Sequence, residues 1–246
     1  MKIKYSMKQV KENVGSADAF LGVFLFRWII VRFTWFFANF TSLTATQLSF
    51  LGMFIGIGAG VAFLYQHFIL GAILYEVRYF FDCFDGQVAR LRKQTSKYGA
   101  FMDNYSGFVS RAVAVPLLCI GLYYNTGWIW WLIIAPFMYI IVSFHSMESL
   151  TVLRVMGSES FSKNVKGISQ IKKFSFLQKF REFLKKHGSA EPLGQGDLIQ
   201  FMLVFGPIFG LTLYAFLFSA LIFIGREVLY FIFYSYTLIN ADKTQD

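Results

Sequence analysis

A chain of 246 residues that is 56% hydrophobic and 20% aromatic but only 15% charged lacks the makeup of a water-soluble domain, which carries about 25% charged residues. Its 31 phenylalanines overfill one soluble core of this size, whereas lipid accepts them directly. The net charge of +9 falls in clusters between apolar runs, which sets nucleic acid aside as a partner and follows the positive-inside rule of membrane proteins instead.

Residues 1–43 read as an N-terminal juxtamembrane segment. Lys2, Lys4, Lys8 and Lys11 open it, and the first apolar stretch has no small-residue cleavage site behind a short core, so no cleavable signal peptide is expected. Residues 17–40 are apolar and aromatic-rich, but Arg27 and Arg32 interrupt them. A full span would bury both, at roughly 2.5–3.5 kcal/mol each near the bilayer centre. An interfacial amphipathic helix lets both side chains reach the headgroups, and that is the expectation.

A helix needs about 20 mostly apolar residues to cross a bilayer. Stretches of this kind lie at 44–65, 67–91, 98–124, 128–150, 198–221 and, shorter, 228–240. They predict an all-α fold, a six-transmembrane-helix bundle over 44–240, with a cytoplasmic basic loop at 151–197 and a tail at 241–246. Within the loop, Ile168, Ile171, Phe174, Leu177 and Phe180 recur near helical spacing among Lys172, Lys173, Lys179 and Arg181, the pattern of a helix lying on a membrane. Six spans put the N-terminus, the 90–97 turn, this loop and the C-terminus on one side, which holds nearly all the Lys and Arg and is therefore cytoplasmic. The expectation is a multi-pass integral membrane protein. Cys83 and Cys119 fall inside apolar stretches and read as core thiols, not a disulfide framework.

Charged side chains inside spans are expensive, so each marks a candidate site. Glu76, Arg78, Asp82, Asp85 and Asp103 stand out in the second and third stretches. Asp82 and Asp85 are three residues apart, hence on one helix face. Asp103 opens the next span across a short basic turn, so two antiparallel neighbours bring three carboxylates to a similar depth. Left unpaired they repel one another or take up protons. A hard divalent cation with oxygen ligands, Mg²⁺ or Mn²⁺, resolves the repulsion and also partners phosphates. Gly86, Gly99 and Gly107 lie among these carboxylates, where glycine lets a ligand approach the backbone.

The string Asp82-Cys-Phe-Asp85-Gly86-Gln-Val-Ala89-Arg90, then eight residues, Gly99, three residues and Asp103, resembles the signature D-x-x-D-G-x-x-A-R-x8-G-x3-D-x3-D of the CDP-alcohol phosphotransferase family. Seven fixed residue types at fixed spacing across 22 positions make a specific match. The segment from Thr44 to Gly52 is similar to a degraded form of the T-P-N-x-x-T run that opens the family's first span. The resemblance implies transfer of a substituted phosphate from a CDP-linked donor to an alcohol acceptor with release of CMP. It implies Asp82, Asp85 and Asp103 as metal ligands, and Gly86, Ala89, Arg90 and Gly99 as the nucleotide site. The expected donor is CDP-diacylglycerol, in phospholipid biosynthesis; a soluble CDP-alcohol with a lipid acceptor is the alternative. Membrane lipids are expected partners, and the Gly- and Phe-rich spans permit a homodimer.

The last Asp of the signature falls at Gly107, which has no side chain to take the acceptor proton. General-base help is typically worth about 10²–10⁴-fold. Three readings follow. Another base serves, Glu148 and His145 near the cytoplasmic end of the fourth stretch being the candidates, although His145 reads more simply as a packing residue. Or the acceptor needs little base help. Or the chain is a catalytically impaired nucleotide- or lipid-binding homologue or scaffold. Arg78, Arg111 and Arg154 are candidates for acceptor binding and would suit a phosphorylated acceptor; Arg78 is also spaced to pair with Asp82. A transporter would show broken helices at the midplane and a repeat between halves, and no repeat is seen.

Overall fold

The computed structural model describes residues 4–13, 20–140 and 194–243, and every described element is helical. In chain order these are α1 (Met7–Asn13), α2 (Phe20–Phe40), α3 (Ala45–Leu64), α4 (Phe68–Leu91) and α5 (Lys97–Thr126), with α6 described over Trp130–Ile140. After residue 193 come α7 (Gln195–Gln200), a π-helical turn (Phe201–Phe205), α8 (Gly206–Phe209) and α9 (Thr212–Lys243). The basic loop through residue 193, with His145, Glu148 and Arg154, lies outside the described residues.

Among the described residues three helices are long and apolar enough to cross a membrane: α3, α5 and Thr212–Leu229 of α9. Helix α4 has the length, 24 residues, but carries Glu76, Arg78, Asp82 and Asp85. Helix α2 is not among the three; Ile30, Val31, Thr34 and Ala38 are its buried stripe, while Trp28, Phe33 and Phe36 are exposed.

Helix α3 begins in a reciprocal cap. The Thr44 hydroxyl accepts from the Gln47 amide at 3.3 Å, and Gln47 Oε1 accepts from the Thr44 amide at 2.9 Å, which satisfies two amides that the first turn leaves without helical partners. Gly52, Gly56 and Gly60 then recur every four residues and form one bare stripe. A Cβ on Gly52 would meet Phe81 of α4 at 3.0 Å, one on Gly56 Ser110 of α5 at 2.6 Å, and one on Gly60 Val113 at 3.0 Å. Small residues of this kind allow helices to approach closely in a membrane. This corrects the expectation that α4 and α5 are direct neighbours: α3 stands between them, and α4 and α5 touch only slightly.

The N-terminal segment is tied to this core. Asn39 Oδ1 accepts from the Lys4 and Tyr5 amides at 2.9 Å, and the Thr34 hydroxyl donates to Gln87 Oε1 of α4 at 2.8 Å. Arg92, just past α4, donates to the carbonyls of Phe37, Ala38, Thr41 and Leu43 and so closes the C-terminal end of α2.

The C-terminal region departs from the expected spans at 198–221 and 228–240. The chain turns at Gly210, whose φ of 66° is the left-handed region that favours glycine. The hairpin is tight, since a Cβ on Gly206 would meet Ala215 at 2.9 Å. Helix α9 then runs 32 residues without a break, across the gap at 222–227 between those two expected spans. A buried cluster joins α3, α4, α5 and α6 to the C-terminal helices through Phe63, Tyr75, Leu118, Trp131, Met202 and Phe216. No disulfide joins Cys83 and Cys119, and Cys119 is buried.

Candidate active site

A cleft of about 160 Å³ opens where the start of α3, the end of α4 and the start of α5 converge. Helix α3 contributes Ala45, Thr46 and Ser49; α4 contributes Asp85, Gly86, Ala89 and Arg90; α5 contributes Gly99, Ala100 and Asp103, with Gln94, Thr95 and Ser96 between them. Local sequence explains this gathering. Helix α4 ends at Leu91 and the chain reverses through Lys93, whose φ is 55°. Ser96 then caps α5, accepting from the Gly99 amide at 2.9 Å. Two helix N-termini, those of α3 and α5, meet at one cleft, and their free amides favour an anionic ligand. A Cβ on Gly86 would meet only Arg90 Nη1, at 3.4 Å, so the backbone there is open to a ligand.

The carboxylates are placed unequally. Asp85 is 2% exposed; one of its oxygens accepts a short hydrogen bond from Ser49, and the other, Oδ1, is buried with no partner. Asp82 is held by Arg78 of its own helix, Nη2 to Oδ1 at 2.6 Å. Asp103 lies on the far wall, within electrostatic reach of Asp82 and Asp85. Among the described residues no three His, Cys, Asp or Glu side chains are gathered closely enough to hold a metal ion. The ion pair meets Asp82, and the Ser49 contact meets one oxygen of Asp85. The donor set is nonetheless one of hard oxygens, and the orphaned Oδ1 of Asp85 is a buried acceptor that a cation would satisfy.

The remaining candidates lie deeper in the bundle. Arg78 is 5% exposed. It and Arg111 both reach Gly107, and a Cβ there would meet Arg78 Nη2 at 2.9 Å and Arg111 Nη1 at 3.2 Å. Glu76 belongs elsewhere, its two oxygens accepting from Gln200 Nε2 at 3.2 and 3.1 Å. Sequence reasoning missed Ser49 and Gln200. Ser49 could have been found, because it shares a helix face with Gly52 and Gly56; Gln200, 124 residues from its partner, carried no local signal.

The family model for CDP-alcohol phosphatidyltransferase matches residues 42–180. The archaetidylinositol phosphate synthase of Pyrococcus horikoshii is 31% identical over 103 residues, which is 42% of this chain and 44% of that protein. The bifunctional IPC transferase and DIPP synthase of Aquifex aeolicus is 35% identical over 103 residues, 41% of this chain and 22% of that protein. Each match thus spans less than half of the curated relative.

Proposed function

This chain belongs to the CDP-alcohol phosphatidyltransferase family, and from that premise we propose that it transfers a substituted phosphate from CDP-diacylglycerol to an alcohol, releasing CMP, in phospholipid synthesis. The observation that carries the proposal is the cleft, in which six of the motif residues face one another beneath two helix N-termini. The Pyrococcus horikoshii relative, a synthase of archaetidylinositol phosphate, supports lipid phosphate chemistry as the setting.

In this reading the diphosphate lies against the open backbone at Gly86, with Gly99 lining the cleft beside it and the Arg90 guanidinium and the amides of α3 and α5 facing its negative charge. Asp82, Asp85 and Asp103 would hold Mg²⁺ or Mn²⁺, which when bound neutralises the charge that develops on the leaving CMP. Asp82 can join only by loosening its pair with Arg78, and Asp85 presents Oδ1 already. The acceptor oxygen forms a bond to the phosphorus as the bond from phosphorus to the CMP oxygen breaks, and the acceptor proton passes to a base. Gly107 cannot be that base; Glu148 and His145 remain the proposed acceptors of the proton.

The proposal includes a six-span bundle with the cleft on the cytoplasmic side and α2 lying in the interface. Arg90, Arg92, Lys93 and Lys97 at the cleft end support that orientation, while the opposite turns at 65–67 and 124–127 carry no Lys or Arg. The Gly- and Phe-rich spans fit a homodimer.

Gly107 and the Arg78–Asp82 pair favour a second reading, a homologue that binds the nucleotide without turnover. One assay separates the two: CMP release by purified protein in liposomes with Mg²⁺, CDP-diacylglycerol and a panel of alcohols. The transferase reading expects release that Asp85→Asn abolishes. Tight binding of CDP with no release on any acceptor or CDP-linked donor establishes the second reading in its place.

A further inference from the structure

We infer that the Arg78 guanidinium fills the side of the motif between Asp82 and position 107 as a built-in cation, so that the cleft takes one divalent ion, on its Asp85–Asp103 side, where the four carboxylates of the signature carry charge for two. The inference rests on the transferase reading, in which the cleft holds such an ion, and it fixes the number.

A single nitrogen occupies the place a second ion would need. Arg78 Nη2 lies 2.6 Å from Asp82 Oδ1 and 2.9 Å from the position of a Gly107 Cβ. It therefore touches the first carboxylate of the motif and the place of the missing last one. Arg111, one turn further along α5, brings Nη1 to 3.2 Å from the same position. Mg²⁺ binds oxygen at about 2.0–2.1 Å, so an ion bridging positions 82 and 107 needs the volume that Nη2 fills. The open space is on the other side. Asp85 and Asp103 line the cleft, and Arg78, Asp82 and Gly107 do not. Asp85 also carries the buried oxygen without a partner.

Packing from three helices holds the guanidinium where it is. Arg78 starts on α4 and is 5% exposed. Its Cγ passes 3.2 Å from where a Gly56 Cβ would stand on α3, and its head lies 5.8 Å from the centroid of the Tyr75 ring. Glycine at 56 leaves room for the stem, and glycine at 107 leaves room for the head. The missing carboxylate and the guanidinium in its place thus act together.

Charge balance gives the count. In two-metal sites the ions stand about 3.5–4 Å apart, and four carboxylates cancel two divalent charges. Here three carboxylates and one paired guanidinium leave two negative charges, which one ion cancels. Arg78 is within electrostatic reach of Asp85 and Asp103 as well as Asp82, so a second ion would meet its repulsion. Arg90 belongs to the signature and leaves the comparison unchanged. Arg111 adds a further positive charge at Gly107, within electrostatic reach of Asp82.

The test counts Mn²⁺ bound to full-length protein in detergent, without nucleotide, by equilibrium dialysis and electron paramagnetic resonance. Native protein should bind one Mn²⁺ per chain and give the spectrum of an isolated ion. Arg78→Gln/Gly107→Asp, with four carboxylates and no guanidinium between them, should bind two and give the spectrum of a coupled pair. Gly107→Asp alone should still bind one, because its carboxylate meets Arg78 and Arg111. Arg78→Gln should bind Mn²⁺ about tenfold tighter, since Asp82 is released and a neighbouring positive charge is gone; damage to the fold would weaken binding instead. Two coupled ions on the native protein, no ion on it, or an unchanged or weaker Kd in Arg78→Gln overturns the inference. So does a single ion on a double variant that still unfolds cooperatively. Counting needs no turnover: native protein that binds one Mn²⁺ but releases no CMP fails the transferase reading and upholds the count.

Discussion

Replacing Arg92 by alanine removes the clamp that ties α4 to the end of α2. The guanidinium donates to Leu43 at 2.5 Å, to Phe37 and Thr41 at 2.7 Å and to Ala38 at 3.2 Å. Phe37 and Ala38 lie in the last turn of α2 and Thr41 and Leu43 in the short link after it, where no later helical amide is available to their carbonyls. Arg92 is half-buried, so water takes over part of the lost bonding, and each bond is worth about 0.5–1 kcal/mol net. Four such bonds give about 2–4 kcal/mol, which lowers Tm by roughly 5–15 °C in a chain of this size. The loss also reaches the cleft, because Arg92 is two residues from Arg90 and anchors the end of α4 that presents Gly86 and Ala89. The assay is thermal unfolding in detergent, followed by labelling of Cys119 with a thiol-reactive dye in a Cys83→Ser background. Cys119 is 0% exposed and reacts only when the core opens. Arg92→Lys should fall between the native protein and Arg92→Ala, because an ammonium cannot fork to four carbonyls. A Tm for Arg92→Ala within about 2 °C of the native value would refute the clamp.

Ser49→Ala leaves both oxygens of Asp85 without a partner and should cost about 1–3 kcal/mol in EDTA; added Mg²⁺ should raise its Tm more than that of the native protein, and equal Tm values in EDTA would count against the Ser49 contact. Gln200→Leu strips Glu76 of its donor and should destabilise by about 2 kcal/mol, with much of it recovered in Glu76→Leu/Gln200→Leu; a double-mutant cycle with no coupling would deny the pair. Gly56→Val drives a side chain into Ser110, 2.6 Å from the new Cβ, and should cost about 1–3 kcal/mol. Gly58→Ala on the same helix meets nothing within 4 Å and should be neutral or stabilising by up to about 1 kcal/mol; equal effects of these two substitutions would show that α3 does not pack through its glycine stripe.

Some features were legible from residue order alone. The helical membrane class followed from composition, because no soluble core accommodates this apolar load. The spacing of Asp82, Asp85, Gly86, Ala89 and Arg90 put them on one helix end whatever the rest of the chain does, since helical period is local. The same holds for Thr44 and Gln47, whose reciprocal cap spans three residues. Family membership rests on that local string, and the family match at residues 42–180 includes it.

Contacts between distant helices were decided only in three dimensions. Hydropathy marks which stretches are apolar but not which faces meet, so α4 and α5 looked adjacent when the glycine stripe of α3 draws it between them. The C-terminal turn belongs to Gly210 and not to the gap at 222–227 between the expected spans because the close approach of Gly206 to Ala215 closes the hairpin there, while Gly225 in an open stretch of α9 costs the helix only about 1 kcal/mol. Arg92 counted as one more cytoplasmic cation in the sequence, yet it bonds four carbonyls 49 to 55 residues away. Gly107 read as a missing base. Only the packed bundle shows two guanidiniums reaching its empty Cβ position, because Arg78 must cross α3 over Gly56 to arrive there.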